Sequence, residues 1–174
     1  MDALLTQTNR RLRAFLPLLS SLALGLAGLT PLGLPHMELV APSLALMAIF
    51  YWSIFRADLV NMMGAFLIGL IIDLLSGGPL GLNAMMLLLA HELGVSQRRV
   101  FLGSSFLVNW VAFALVVSAV TLAGWAMISL LNWTLLPAAP RLAQWTLSLA
   151  LYPPVYWLLS LLERRWLRPV LTDD

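Results

Sequence analysis

The stretch that decides the fold is FLIGLIIDLL, residues 66–75, followed at once by SGGPLGLN, residues 76–83. Asp73 is the one charged residue in an otherwise apolar run. A carboxylate at the centre of a bilayer costs roughly 2.5–3.5 kcal/mol on insertion scales, so it occurs where a group inside the protein receives it. The pattern predicts a membrane helix whose Asp73 side chain faces a packed interior or a partner.

The composition of the whole chain agrees with a membrane location. Of its 174 residues, 61% are hydrophobic and 10% are charged, and the apolar residues fall in blocks long enough to cross a bilayer. The stretches between blocks are short, which predicts a single membrane domain, residues 1–174, without a separate catalytic or binding domain. The ten basic residues are all arginine and flank the blocks, a pattern typical of topology signals rather than of nucleic-acid binding.

Six apolar blocks predict an all-α integral membrane protein, a bundle of six transmembrane helices. The predicted spans are about 14–34, 39–55, 59–76, 80–97, 102–130 and 143–163. With a cytoplasmic N-terminus, nine arginines lie in cytoplasmic segments and Arg141 lies outside. The positive-inside rule therefore predicts that both termini are cytoplasmic.

Small and polar residues mark the predicted packing faces. Ala65, Gly69, Asp73 and Ser76 recur at spacings of four, four and three, which places them along one side of the third helix. Membrane helices associate through such faces, because small residues let backbones approach closely. The fifth span has a similar stripe containing Asn109, and we expect the two stripes to pack together.

Two roles are open for Asp73. As a structural acceptor, its carboxylate would accept backbone N–H bonds from the glycine-rich turn or from the start of the next helix, whose dipole favours an anion. As a functional group, it would bind a proton or ion, or contact a partner helix. The first role predicts that Asp73→Asn folds and functions.

The segment after Asp73 has the composition of a tight turn that reverses the direction of the chain. Gly77, Gly78, Pro79 and Gly81 are turn-forming residues and would let two helices return close together. The alternative, a phosphate-cradling loop, lacks the lysine and the spacing of a P-loop. Asn83, just beyond the turn, is a candidate for hydrogen bonding between helices.

The sixth span contains Pro153 and Pro154, which predict an interrupted backbone hydrogen-bond ladder and a kink in the helix, with the freed carbonyls satisfied by neighbours. Aromatic residues close to span ends are typical of the membrane–water interface. We assign Trp52, Trp133, Trp145 and Trp166 to this interfacial belt.

No enzymatic site can be assembled from the sequence. His91-Glu92 is not a zinc-protease motif, because position 95 is Val95, and the absence of cysteine removes thiolate chemistry. We expect Glu92 to pair with Arg98 or Arg99. No catalytic residue, metal site or cofactor is predicted, and the protein is not expected to be an enzyme.

Several segments together resemble the MreD family of rod shape-determining proteins. They are APSL at residues 41–44, YW at 51–52, RAD at 56–58, GAFLIGLIIDLLSGGPLGL at 64–82 and YPP at 152–154. The resemblance is strongest over about residues 40–85, and the length and six-span layout agree throughout.

The resemblance implies a non-enzymatic, multi-pass scaffold in the bacterial inner membrane. Such proteins bind MreC and connect the MreB cytoskeleton with the RodA and penicillin-binding protein 2 synthases, supporting lateral peptidoglycan synthesis. In this chain, the face formed by Gly69 and Asp73 and the turn from Ser76 to Gly81 are the predicted docking surface. Bulky substitution at Gly69 or Gly78 should therefore weaken recovery of MreC.

A second hypothesis comes from the same resemblance, because the family is similar in fold to the substrate-binding subunits of energy-coupling-factor vitamin transporters. It implies a binder of a small molecule or a lipid-linked precursor, with Asp73, Asn83 and Asn109 around an outward-facing cavity. A polar cavity would favour this hypothesis, whereas a cavity filled by side chains would favour the scaffold.

Overall fold

The computed structural model describes residues 15–29, 42–134, 137 and 139–166, and these residues form helices and loops without a strand. The helices are α1 (Leu16–Leu29), α2 (Leu44–Phe55), α3 (Met62–Ser76), α4 (Leu82–Phe101), α5 (Phe106–Leu131) and α6 (Ala139–Trp166). Each overlaps one predicted apolar span. The predicted segments 30–41 and 167–174 lie outside the described residues.

Helix α2 forms the centre of the bundle. Ten of its twelve residues are buried, and it packs against α1, α4 and α6. Trp52 is fully buried there, and its Nε1–H donates to Ser20 Oγ at 3.0 Å. The assignment of Trp52 to the interfacial belt is therefore wrong. A helix that is apolar on all sides has the same sequence pattern in lipid and in a protein core, so the sequence did not show that Trp52 is buried in protein.

Local chemistry fixes both ends of α3. Asn61 is its N-cap, and its Oδ1 accepts a hydrogen bond from the backbone N–H of Gly64 at 2.8 Å. Gly77 ends the helix in the left-handed conformation, with φ of 67°. The helix therefore stops where the predicted glycine-rich turn begins.

Helix α4 extends beyond its predicted span, to Phe101 instead of residue 97. Arg98 and Arg99 lie in its last turn, where positive charge complements the helix dipole instead of interrupting the helix. The end of the apolar block therefore did not mark the end of the helix.

The expected pairing of α3 with α5 is wrong. Among the described residues, α3 packs mainly against α4 and also against α1, whereas α5 packs against α4 and α6. The short connection from Gly77 to Gly81 holds α3 and α4 together as antiparallel neighbours. A stripe of small residues predicts close approach, but it does not identify the partner helix.

Helix α6 continues through both prolines, from Ala139 to Trp166. Pro153 has no N–H to donate to the carbonyl of Leu149, four residues earlier. That carbonyl instead accepts a hydrogen bond from Trp110 Nε1–H of α5 at 3.2 Å. The expectation that a neighbour satisfies the freed carbonyl is confirmed at this position.

Two helices are long and apolar enough to cross a membrane by length and composition, namely Phe106–Leu131 and Ala139–Arg165. Three shorter helices, α1, α2 and α3, are also apolar. Residues exposed on the outside of the bundle include many large apolar side chains, such as Leu74, Leu115 and Leu122. An apolar exterior of this kind is typical of a protein surrounded by lipid.

Candidate functional site

Asp73 is the centre of the site, and four N–H groups from the following segment converge on it. Oδ1 accepts hydrogen bonds from the backbone N–H and the side-chain Nδ2 of Asn83, both at 2.9 Å. Oδ2 accepts from the backbone N–H groups of Gly81 at 2.9 Å and Ala84 at 3.2 Å. The Asp73 side chain is 1% exposed. The predicted role as an acceptor for the turn and the start of the next helix is confirmed.

Gly69, one turn before Asp73, lies against the backbone at the start of α4. A Cβ atom at this position would lie 2.3 Å from Ala84 Cα and 2.6 Å from Ala84 N. These are backbone atoms and cannot move aside. Glycine at this position therefore allows the start of α4 to lie close enough for the Asp73 hydrogen bonds.

The turn itself is exposed. Residues 74–80 are all exposed, whereas Gly81 is half-buried beneath them. Gly77 and Gly81 have positive φ angles of 67° and 90°, which side chains with a Cβ rarely adopt. Gly78 has an ordinary φ, and a Cβ there would meet no atom nearer than Ser76 Oγ at 3.6 Å. The Ser76–Gly81 turn is thus an exposed loop that Gly81 ties to Asp73, with open space around Gly78.

A partly open cavity of about 300 Å³ lies beside Asp73, between residues of all six helices. Its polar lining consists of Ser43, Asp73, Ser76, Asn83, Thr121, Arg141 and Gln144. Asn109 does not line it and is buried elsewhere in α5. The expectation that Asp73, Asn83 and Asn109 surround one cavity is therefore wrong for Asn109, because Asn109 lies about 18 Å along α5 from Thr121.

The remaining candidate residues, Asn109, Pro153 and Pro154, lie between α5 and α6 and not at the turn. Asn109 is 1% exposed and adjoins Trp110, whose indole bonds the carbonyl freed by Pro153. Within the described residues, Asn109 Oδ1 has no hydrogen-bond partner. Tyr152 next to the prolines stacks on Phe113 with ring centroids 4.1 Å apart. This region is a packed contact between α5 and α6.

The polar groups at the other end of α4 form contacts that differ from those expected. Glu92 Oε1 lies 3.3 Å from His91 Nδ1, and Arg98 Nε–H donates to the carbonyl of Ile54 at 3.0 Å. The expected pairing of Glu92 with Arg98 or Arg99 is not formed among the described residues. Arg98 instead joins the C-terminal end of α2, where carbonyl groups lack helical partners. His91 Nε2–H donates to the carbonyl of Val60 at 3.0 Å and fixes the loop before α3.

Long-range side-chain contacts were missed by the sequence analysis. Tyr51 O–H donates to Glu163 Oε2 at 2.7 Å, joining α2 to α6. At the opposite end of the same two helices, Ser148 Oγ accepts from the backbone N–H of Ser43 at 3.1 Å. The members of each pair are more than 100 residues apart. No spacing pattern in the sequence signals such a contact.

Each oxygen of Asp73 accepts two hydrogen bonds, which occupies the lone-pair sites of the carboxylate. In the part of the chain that the structure describes, no three metal-ligating side chains gather together. The site's chemistry is that of a structural joint between α3 and α4. Such a fold and site define an α-helical membrane protein.

A family model for the rod shape-determining protein MreD matches residues 9–162 of the 174-residue chain. The chain therefore belongs to the MreD family, whose members act in rod shape determination. No curated protein and no solved structure matches it. The similarity to vitamin-transporter subunits stays a prediction.

Proposed function

We propose that this protein is a non-enzymatic scaffold of the cell-elongation complex in the bacterial inner membrane. It crosses the membrane six times, with both termini in the cytoplasm. On its external side it binds MreC, and it belongs to the same complex as MreB, RodA and penicillin-binding protein 2. Through these partners it supports lateral peptidoglycan synthesis.

The observation that carries the proposal is the turn from Ser76 to Gly81. Four hydrogen bonds to one buried carboxylate fix its far end to α3, so the turn does not have to be ordered when a partner binds. A surface that is ordered in advance loses less conformational entropy on binding. This is the property that a docking element of a scaffold requires.

The surface of the turn suits a protein partner as well. Leu74, Leu75 and Leu80 are 65%, 61% and 68% exposed and flank the glycines and Pro79. Leu74 and Leu75 lie in the last turn of α3 and Leu80 in the loop after it, and large apolar side chains there are favourable when a partner or the lipid interface covers them. We assign MreC to this surface on the strength of the family membership.

The experiment separates docking from folding by using two glycines. Gly78→Trp projects a large side chain from the exposed turn, where nothing obstructs a Cβ. We expect normal insertion and normal thermal stability, with recovery of MreC in crosslinked pulldowns reduced at least five-fold. Val100→Trp is the matched control, because Val100 is 60% exposed at the opposite end of α4.

Gly69→Leu tests the fold and not the docking surface. The added side chain collides with the Ala84 backbone, so we expect less folded protein and a lower melting temperature. The earlier expectation that Gly69 and Gly78 variants behave alike is revised accordingly. If Gly78→Trp recovers as much MreC as wild type, the docking role of the turn is refuted.

A binding subunit is the second candidate function, and the cavity beside Asp73 is the observation that favours it. The sequence-derived ligand set does not support it, since Asp73 is fully engaged and Asn109 lies elsewhere. Arg141, Gln144 and Thr121 provide a different polar lining. Ser76, Gly78 and Pro79 of the turn also line this cavity, so the two candidate functions meet at this edge of the molecule.

A further inference from the structure

A second concave surface adjoins the cavity beside Asp73. It is a groove of about 410 Å³ between α5 and α6, lined by Ser118, Thr121, Leu122, Trp125, Arg141, Leu142 and Trp145. Thr121 and Arg141 line both spaces. The polar cavity and the groove therefore meet at these two side chains.

The groove is apolar in character. Its walls carry leucine and tryptophan side chains, and Leu122 and Leu142 are 64% and 60% exposed on the outside of the bundle. The hydroxyl of Ser118 donates to the carbonyl of Ala114 at 2.6 Å and accepts from Trp145 Nε1–H at 2.9 Å. Since Ser118 is engaged within the protein, the groove suits a hydrocarbon chain that enters from the bilayer.

Arg141 gives the junction its charge. It donates one hydrogen bond through Nη1, to Gln144 Oε1 at 3.2 Å, and forms no ion pair with a carboxylate of the described residues. A guanidinium has five N–H donors, so several remain for a ligand. Asp73 lines the same cavity, but its two oxygens already accept four N–H groups and it forms no ion pair with Arg141.

We propose that the cavity and the groove form one binding site for an anionic phospholipid. The phosphate and polar headgroup lie in the cavity against Arg141 and Thr121, and one acyl chain lies in the groove between α5 and α6. Arginine matches a phosphate group through parallel N–H bonds, and it does so best where water is partly excluded. The inference gives the second candidate function a ligand class, and it does not rest on the scaffold function.

The test uses the full chain in detergent, titrated with phospholipid and followed by native mass spectrometry. Dioleoylphosphatidylglycerol should bind as one retained molecule per chain, at least about ten-fold more tightly than dioleoylphosphatidylcholine, whose choline group adds a positive charge beside Arg141 and has no hydroxyl to bond the polar lining. Arg141→Gln should remove this preference, and Arg141→Lys should retain part of it, because charge is kept and the planar fork is lost. Arg165→Gln is the matched control, since Arg165 is exposed in the last turn of the same helix.

Several results would overturn the proposal. Equal retention of the two lipids by wild type would exclude charge recognition, and unchanged preference in Arg141→Gln would exclude this site. Competition by sn-glycerol 3-phosphate as effective as by the lipid would make the ligand a soluble anion and would refute the acyl-chain groove. Thr121→Phe, which narrows the junction, should weaken lipid retention in protein that still elutes as a single folded species.

The scaffold function can fail or succeed separately. Arg141→Gln should recover as much MreC as wild type, whereas Leu80→Asp, in the exposed turn at a position that lines neither the cavity nor the groove, should lose MreC and keep the bound phospholipid. The two substitutions thus distinguish a failure of the lipid site from a failure of the docking surface.

Discussion

Four N–H groups converge on Asp73, and each carboxylate oxygen accepts two of them. Burying a charged group is costly unless hydrogen bonds compensate, and here the start of α4 supplies them. The arrangement also satisfies backbone groups that the first turn of a helix leaves without partners. The same hydrogen bonds therefore compensate the burial of the Asp73 carboxylate and cap the N-terminus of α4.

Substitution of Asp73 tests this arrangement directly. An asparagine side chain has one acceptor oxygen, so its NH₂ group would face two N–H donors. We expect Asp73→Asn to insert and to lower the free energy of unfolding by about 2–4 kcal/mol, since an unsatisfied buried group costs roughly 1–3 kcal/mol. Thermal unfolding in detergent measures the change.

A second carboxylate provides the control. Asp58 pairs with Arg56 at 3.1 Å and is largely exposed. Partial burial raises the pKa of Asp58, but hydrogen bonds to Arg56 and its positive charge outweigh this and hold the pKa below its usual value. Asp58→Asn should change stability by less than about 1 kcal/mol. Equal effects of the two substitutions would show that the four bonds to Asp73 add little.

At the residue level, prediction succeeded where the chemistry was local. Asp73 and its donors lie within eleven residues, so the turn and the carboxylate could be related from spacing alone. Glu92 and Arg98 were paired by proximity in sequence, but the carbonyl of Ile54 competes for Arg98 and is 44 residues away. Such a competitor becomes visible only when the packing of α2 on α4 is known.

At the level of helices, α6 depends on a side chain from its neighbour. The carbonyl of Leu149 loses its helical donor at Pro153 and accepts the indole N–H of Trp110 instead. Membrane helices tolerate proline when an adjacent helix satisfies the freed carbonyl. The contact ties α5 to α6 at mid-length.

Trp110→Phe removes the donor and keeps most of the ring. We expect the free energy of unfolding to fall by about 1–2 kcal/mol, because the Leu149 carbonyl is left without a donor inside the bundle. Trp157→Phe is the control on α6, since Trp157 is 67% exposed. Thermal unfolding that is the same in both variants would contradict a specific role for the indole N–H.

The ends of helices were easier to predict than their partners. Gly77 and the turn after it end α3 by backbone chemistry that single residues encode. The partner of the Gly69 face is α4, which depends on how closely Ala84 approaches. The similar stripes in α3 and α5 therefore did not show that α3 packs against α4.

At the scale of the whole molecule, α2 is enclosed by its neighbours while most other helices expose large apolar side chains. At about 18 Å for twelve residues, α2 is shorter than a bilayer core is thick. A helix enclosed by protein does not have to match the lipid, so its length does not argue against a position within the membrane. Hydropathy located the apolar blocks, but it could not separate a central helix from a lipid-facing one.

The six-span topology can be tested because the chain contains no cysteine. Single cysteines at the exposed positions Gly78 and Trp133 should react with a membrane-impermeant maleimide in intact spheroplasts, since both belong to external loops of the proposed topology. Asp58→Cys and Leu102→Cys should react only after permeabilisation, because arginines flank both positions on the cytoplasmic side. Full reaction of all four with denatured protein is the control. The opposite labelling pattern would invert the topology, and a mixed pattern within either pair would show that fewer than six helices cross the membrane.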